Sequence, residues 1–447
     1  MSDSKLTVKK MLIIASLIFG MLFGAGNLIF PVHLGQLAGS NWFSASGGFI
    51  ASGVLLPLLA LLAISITRSD GIYDLAKPIG VKYASIFLIF VHAAIGPFCA
   101  TPRTATVPYE IGFAQHFSAS ANKIGLLIFT AIFFVVVYAL SATEAKITDL
   151  IGKILNPIFL VMLFIIFALT FIKPMGSAQT SAVTVAYSNG AFANGFLQGY
   201  NTMDCLAALI FGITIITSIK ELGITKQKDI SLATIKSGFW GIFAIAILYL
   251  GLVWMGASSL HQFKLAANGG TTLGQISYYY MGIAGNALLA TLTTITCLTT
   301  AMGLAVSFAQ DFNQRFPKLS YKTWLAINCS LSFLVANMGL DTIIAWSKPV
   351  LMLLYPLAIT LILVAIVSPL FKSSPVVYRT TTIFTIIPAI FDMVNTTPPV
   401  LHNTALVQHM VSFAQKYFPF FNLGFGWLSF AIIGFVLGIV VYLIRQK

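Results

Sequence analysis

Residues 11–31, MLIIASLIFGMLFGAGNLIFP, read as an apolar helix interrupted by Gly24-Ala25-Gly26-Asn27 and stopped by Pro31. Hydrocarbon holds no water to satisfy freed backbone groups, and each unsatisfied group there is costly. Unwound backbone at membrane depth survives only where protein buries it or where it lines a cavity, so its N–H and C=O groups are candidate ligands for something polar. A second segment has the same character: Gln198-Gly199-Tyr200-Asn201-Thr202-Met203-Asp204 also places an Asn shortly after a Gly, Asn201 after Gly199 as Asn27 follows Gly24 and Gly26. Gly199 would supply the backbone freedom for another interruption. The alternative is that these glycines only let helices pack closely. Thr296, Thr299 and Thr300 stand at i, i+3 and i+4, which puts three hydroxyls on one helix face. They either face a ligand or bond back to their own helix. Arg103 and Glu110 lie seven residues apart, two turns on one face and too far for an easy direct pair. With Asp204 they are candidates for gating or ion pairing, since charges inside spans are rarely idle.

The elements that carry these residues are membrane helices. Charged residues are 8% of the chain and hydrophobic residues 58%, against about 25% charged in soluble domains. From Met11 to Thr67 there is no Asp, Glu, Lys or Arg, enough for two spans of about 20 residues each. Twelve spans are predicted: about 11–36, 42–67, 83–113, 124–142, 150–172, 193–219, 233–257, 284–310, 322–339, 345–370, 377–394 and 423–444. The longest stretches between them are 258–283, holding Asn268-Gly269-Gly270, and 395–422, holding Pro398-Pro399, which is suited to the membrane surface. Lys9 and Lys10 before the first apolar run resemble a secretory signal, but the run is long and no clear cleavage site follows, so it reads as a retained span.

Loop charge tests the count. With twelve spans, the N-terminus and the even-numbered connections share 19 of the 25 basic residues, the other side holds Lys123, Lys173, Lys264, Lys348 and Lys416, and Arg103 is inside a span. The bias predicts a multi-pass protein with both termini in the cytoplasm. It also accounts for the net charge of +13 without nucleic acid, because the basic residues are scattered over short loops. No P-loop, GxSxG or HExxH motif occurs, and Cys99, Cys205, Cys297 and Cys329 have no C-x-x-C spacing. Enzyme and cofactor chemistry therefore have no support. Five spans separate the two interruptions, and an odd repeat unit inverts its second copy, as in inverted-repeat secondary transporters.

The run Phe23-Gly24-Ala25-Gly26-Asn27-Leu28-Ile29-Phe30-Pro31, followed by Leu34-Gly35 and Ala38-Gly39, resembles the opening signature of the branched-chain amino acid:cation symporter family. So do Ile95-Gly96-Pro97-Phe98-Cys99-Ala100-Thr101-Pro102-Arg103-Thr104-Ala105-Thr106-Val107-Pro108-Tyr109-Glu110, the Gln198–Asp204 run and Thr296-Cys297-Leu298-Thr299-Thr300-Ala301. The likeness runs in order along essentially the whole chain. It implies an all-α membrane protein with a LeuT-type inverted five-helix repeat in residues 1–370 (copies about 11–172 and 193–370). Two further C-terminal helices would occupy 371–447. It also implies a bacterial inner-membrane importer of leucine, isoleucine and valine, coupled to sodium as the co-transported ion. The alternative is a proton-coupled carrier of another small apolar solute on the same fold.

Such a substrate is a zwitterion with an apolar side chain. A half-helix starting near Gly26 or Asn27 would offer free N–H groups and a positive dipole end to the carboxylate. Freed carbonyls of Phe23, Gly24, Gly199 and Tyr200 would receive the ammonium, with Asp204 able to assist. The substrate-binding set is thus Phe23, Gly24, Ala25, Gly26, Asn27, Gly199, Tyr200 and Asn201. Ile95, Phe98, Tyr200, Met203 and Cys297 are candidates for the apolar pocket. By resemblance to LeuT-type carriers, sodium would sit between the first and eighth spans, on the Gly20 and Phe23 carbonyls with Thr296, Thr299 and Thr300. Asn27 either lines a second ion position or touches substrate. His33 and His92 could carry protons, although a lone His in a span is more often hydrogen-bonded structure.

Overall fold

The computed structural model describes residues 6–114, 117–142 and 161–446, and these are all helix, turn or irregular chain with no strand. Among the described residues, eight helices are long and apolar enough to cross a bilayer. Side chains such as Phe90, Ile128, Val135, Ile387 and Val436 stand exposed on their outer faces, the arrangement expected of surfaces solvated by lipid.

The first predicted span is two helices, α1 (Val8–Leu22) and α2 (Ala25–Ala38). The 43-residue apolar stretch Ala25–Thr67 cannot be one span, since 43 residues of helix measure about 64 Å against a core of about 30 Å. It turns at Gly39, whose φ is 50°, and continues as α3 (Trp42–Ile50) and α4 (Leu56–Thr67) around a π-turn at Ala51–Leu55. After the short α5 (Ile72–Ala76), the third span is α6 (Val81–Ala93) and α7 (Ala100–Gly112), kinked at Gly96-Pro97. The fourth is α8 (Ala119–Ala142). Residues 150–160 of the predicted fifth span lie outside the described residues; the rest is α9 (Val161–Ile172). A short α10 (Val185–Ser188) precedes the sixth span, itself two helices, α11 (Ala191–Gly199) and α12 (Asp204–Glu221). The seventh is α13 (Gln227–Ser259).

The chain then departs from expectation. The stretch predicted as a connection over 258–283 turns helical at Gly269, because Asn268 caps it by accepting the Thr271 N–H at 3.0 Å. This arm runs to a break at Gly282 (φ 64°), beyond which the same element, α14 (Gly269–Arg315), becomes the eighth span. The remaining spans are α15 (Tyr321–Ala336), α16 (Leu340–Val367), α17 (Pro375–Asn395) and α20 (Gly426–Arg445). Between the last two lie α18 (Pro399–His402) and α19 (Ala405–Tyr417), with Leu406, Phe413 and Tyr417 exposed. The four cysteines are buried and unpaired.

Glycines set the helix contacts that hold the site. A Cβ at Gly35 would overlap the Val253 carbonyl, and one at Gly256 would overlap the Val32 carbonyl. A reciprocal pair joins α3 and α11, where Gly48 meets the Phe192 carbonyl and Gly195 the Ala45 carbonyl. Small residues thus bring backbones together without a hydrophobic driving force. The first interrupted helix lies along α13, and the second lies along α3 and α4.

Candidate functional site

The first break is shorter and earlier than the sequence suggests. Only Phe23 (φ −81°, ψ 102°) and Gly24 (φ −128°, ψ −166°) are extended; Ala25, Gly26 and Asn27 already form the first turn of α2. Pro31 does not stop the helix, which continues to Ala38. Its ring leaves one bond unmade, to the Asn27 carbonyl four residues back. A Cβ at Gly24 would stand 3.4 Å from Thr300 Cγ2, an ordinary contact, so the break faces Thr300 closely without a clash that demands glycine.

Asn27 is the hinge of the site. Its Oδ1 accepts the Gly24 N–H at 2.8 Å, while its own N–H donates to the Gly24 carbonyl at 3.1 Å. This reciprocal closure ties off the helix start as a capping box does. Its Nδ2 donates to Asp204 Oδ2 at 2.6 Å and to the Tyr249 hydroxyl. Tyr249 in turn donates to Asp204 Oδ2 at 3.0 Å. Asn27, Asp204 and Tyr249 are all buried, so one polar joint connects the first break, the second break and the seventh span.

The second break is built differently. Gly199 is helical (φ −63°), so it is not the source of backbone freedom. A Cβ on it would overlap Ser52 Oγ and approach the Phe49 carbonyl at 3.0 Å, which makes it a close-packing glycine. The chain passes through a 3-10 turn at Tyr200–Thr202, and Met203 takes the left-handed conformation at φ 62°. That conformation is costly for a side chain of this size, and it aims Asp204 at the start of α12 back toward Asn27. The Asn201 side chain turns to Gln198 Oε1 at 3.1 Å, so an asparagine shortly after a glycine does not have the same role in the two breaks.

Carbonyls at this break already have donors. Gly199 O accepts the Thr202 hydroxyl at 2.9 Å, Tyr200 O the Met203 N–H at 3.0 Å, and Asn201 O an Arg103 Nη1–H at 2.8 Å. Arg103 is buried; it also donates to Ser347 Oγ and lies 5.1 Å over the Phe30 ring. It therefore joins α7, the second break, α16 and α2, and a cation suits the carbonyl end of a half-helix. Glu110 is elsewhere. It accepts from the Thr271 hydroxyl at 3.5 Å, beside Asn268, which donates to Asp341 at 2.8 Å under the first arm of α14.

On α14 the Thr299 and Thr300 hydroxyls donate to the Thr296 carbonyl at 2.8 and 3.1 Å. This is back-bonding, yet a hydroxyl that donates keeps its lone pairs. Thr296 Oγ1 is buried with no partner. Thr300 faces Gly24, and Gly20 is exposed with nothing within 4 Å of where its Cβ would stand. Of the pocket candidates, Tyr200 stacks on Tyr355 at 4.0 Å, and Ile95, Met203 and Cys297 are buried, while Phe98 is 52% exposed. His92 pairs with Asp311 at 2.7 Å. Sequence reading missed Tyr249, Ser347 and Tyr355. The available signal was a tyrosine inside an apolar span, whose hydroxyl needs a partner once buried.

The profile of the family described as Branched-chain amino acid transport protein matches residues 7–445. The chain is 41% identical over 429 residues to the Branched-chain amino acid permease BrnQ of Lactobacillus delbrueckii subsp. lactis, covering 95% of each. It is 36% identical over 445 residues to the permease BrnQ of Bacillus subtilis, covering 100% of this chain and 99% of the other. Among solved structures it resembles Mhp1 in its inward-facing conformation, with a TM-score of 0.62 at 13% identity, covering 98% of this chain and 91% of that one. The arrangement of helices is thus the LeuT-type fold.

Proposed function

Because the chain belongs to the branched-chain amino acid transport protein family, we propose that it imports leucine, isoleucine and valine by alternating access, driven by sodium that enters with the substrate. It is a membrane transporter and not an enzyme. One observation carries the placement of the site: Asn27 and Asp204 join the two interrupted helices to each other in the buried interior. Substrate would lie between the breaks, its carboxylate toward the open first turn of α2 and its side chain among apolar neighbours such as Met203 and Cys297. Sodium would use the lone pairs of Thr299 and Thr300 with the carbonyls freed at the end of α1.

The packing supports an inverted repeat over 1–370, with α17 and α20 as additions. The first interrupted helix lies along the seventh span and the second along the second span. Exchanging first with sixth and second with seventh leaves that pattern unchanged. The 19-to-5 loop bias supports cytoplasmic termini in a bacterial inner membrane. The driving force suffices, since one charge crossing 100 mV yields ~2.3 kcal/mol. At about 1.36 kcal/mol per decade this sustains roughly fifty-fold accumulation of a net-neutral amino acid.

The test is uptake of labelled leucine into proteoliposomes with sodium and proton gradients imposed separately. The reading predicts sodium-dependent uptake and mutual inhibition among the three amino acids, because one methylene in an apolar pocket discriminates by only ~1–3 kcal/mol. Uptake driven by a proton gradient and indifferent to sodium contradicts the ion assignment.

A further inference from the structure

Asp204 is a carboxyl in the interior of a membrane protein with no charged partner. Its Oδ2 receives hydrogen bonds from Asn27 and Tyr249. Their direction is fixed. Asn27 Oδ1 is committed to the Gly24 N–H, so the Nδ2 end faces Asp204. Tyr249 takes one Asn27 N–H and points its own O–H at the carboxyl. Both donors are neutral. Among the described residues no Lys, Arg or His lies within ion-pair distance of Asp204, and Arg103 is committed to Asn201 and Ser347. The start of α12 offsets only part of the cost of burying such a group.

An ammonium arriving at the second break meets carbonyls that already have donors: Gly199 O, Tyr200 O and Asn201 O are all engaged. Asp204 Oδ1 is different. The Asn27 and Tyr249 donors both go to Oδ2, and the nearby Thr202 hydroxyl, which also bonds to the carboxyl, has its proton shared with the Gly199 carbonyl at 2.9 Å, so Oδ1 keeps acceptor capacity for a strong donor.

We infer that Asp204 Oδ1 receives the ammonium of the transported amino acid, so that the protein selects branched-chain amino acids by their positive end and rejects the 2-oxo acids that share their side chain and carboxylate. This rests on the reading of the two breaks as the substrate site. A site built around a buried acceptor rejects a ligand lacking the matching donor far more strongly than an apolar pocket rejects a missing methylene.

The experiment uses the full chain in proteoliposomes preloaded with leucine and follows exchange of labelled leucine. The competitors are leucine, 3-methylbutylamine (ammonium without carboxylate) and 4-methyl-2-oxopentanoate (carboxylate without ammonium). With the unmodified protein the amine competes at least about ten-fold better than the oxo acid. With Asp204→Asn the half-saturating leucine concentration rises about 100-fold or more, while the oxo acid competes no worse than before. Asp204→Glu recovers part of the leucine affinity. Three results overturn the inference: the oxo acid matching leucine on the unmodified protein; Asp204→Asn weakening leucine and oxo acid by one factor, as a purely structural joint would; and Asp204→Asn exchanging leucine normally while losing gradient-driven accumulation, as a proton-carrying carboxyl would. The competitor series on the unmodified protein decides the matter even if the variant does not fold. Absence of any leucine exchange there would refute the transport reading itself, whereas exchange with equal competition by the oxo acid refutes only this inference.

Discussion

The two breaks share a glycine shortly before an asparagine and little else. The first is two extended residues, Phe23 and Gly24, after which α2 begins at once with its opening turn beside the joint. The second is a 3-10 turn closed by a left-handed Met203, with its carbonyls engaged by Thr202, Met203 and Arg103. In the proposed site one break would therefore offer backbone donors and the other a single acidic side chain. A zwitterion has two unlike ends, and two unlike breaks suit it better than two copies of the same one would.

The largest effect is expected where the breaks nearly touch. A Cβ at Gly26 would lie 3.3 Å from the Phe30 ring and 3.5 Å from Thr202 Cα, so Gly26→Leu pushes the second break away from the first. Leucine uptake should be abolished with membrane insertion intact; a fully active Gly26→Leu protein would show that the breaks do not act together. Next is Arg103→Lys. An ammonium cannot reproduce a planar fork that serves Asn201 O and Ser347 Oγ. The maximal uptake rate should fall by ~10–100-fold with half-saturation changed much less, measured on protein matched for surface abundance.

Gly199→Ala separates packing from backbone freedom. If Gly199 is a packing residue, the added methyl collides with Ser52 and should lower stability by about 1–3 kcal/mol, read as a fall in thermal midpoint of purified protein. An unchanged midpoint would return the glycine to a conformational role. The smallest effect is Thr300→Ala. Thr300 faces Gly24, and its loss should weaken apparent sodium affinity several-fold while leucine affinity at saturating sodium changes less. Equal changes in both would count against an ion at this position.

The spans were legible because hydrocarbon thickness dictates apolar run length: 377–394 was read where the helix is Pro375–Asn395, and 42–67 where it spans Trp42–Thr67. The first arm of α14 was not read, although Asn268 followed by Thr271 carried a capping signal. The glycine patterns drew attention to both breaks but misplaced their details. Nothing in a sequence marks a methionine for left-handed backbone; Met203 adopts it because α11 and α12 are each held by neighbouring spans. Tyr249 was invisible for another reason. Its partners are 222 and 45 residues away, and only tertiary packing brings them together. The back-bonded threonines show the limit of spacing arguments, since one face of α14 serves both readings.

The central claim is that substrate occupies the space between the breaks. Thr202 lies there, opposite Gly26, and all four native cysteines are buried. Thr202→Cys in proteoliposomes, first verified to transport leucine, can be labelled with a small thiol reagent. Saturating leucine, isoleucine or valine should slow that labelling at least several-fold, and lysine should not. Labelling unaffected by leucine in a transport-competent Thr202→Cys protein would contradict the account.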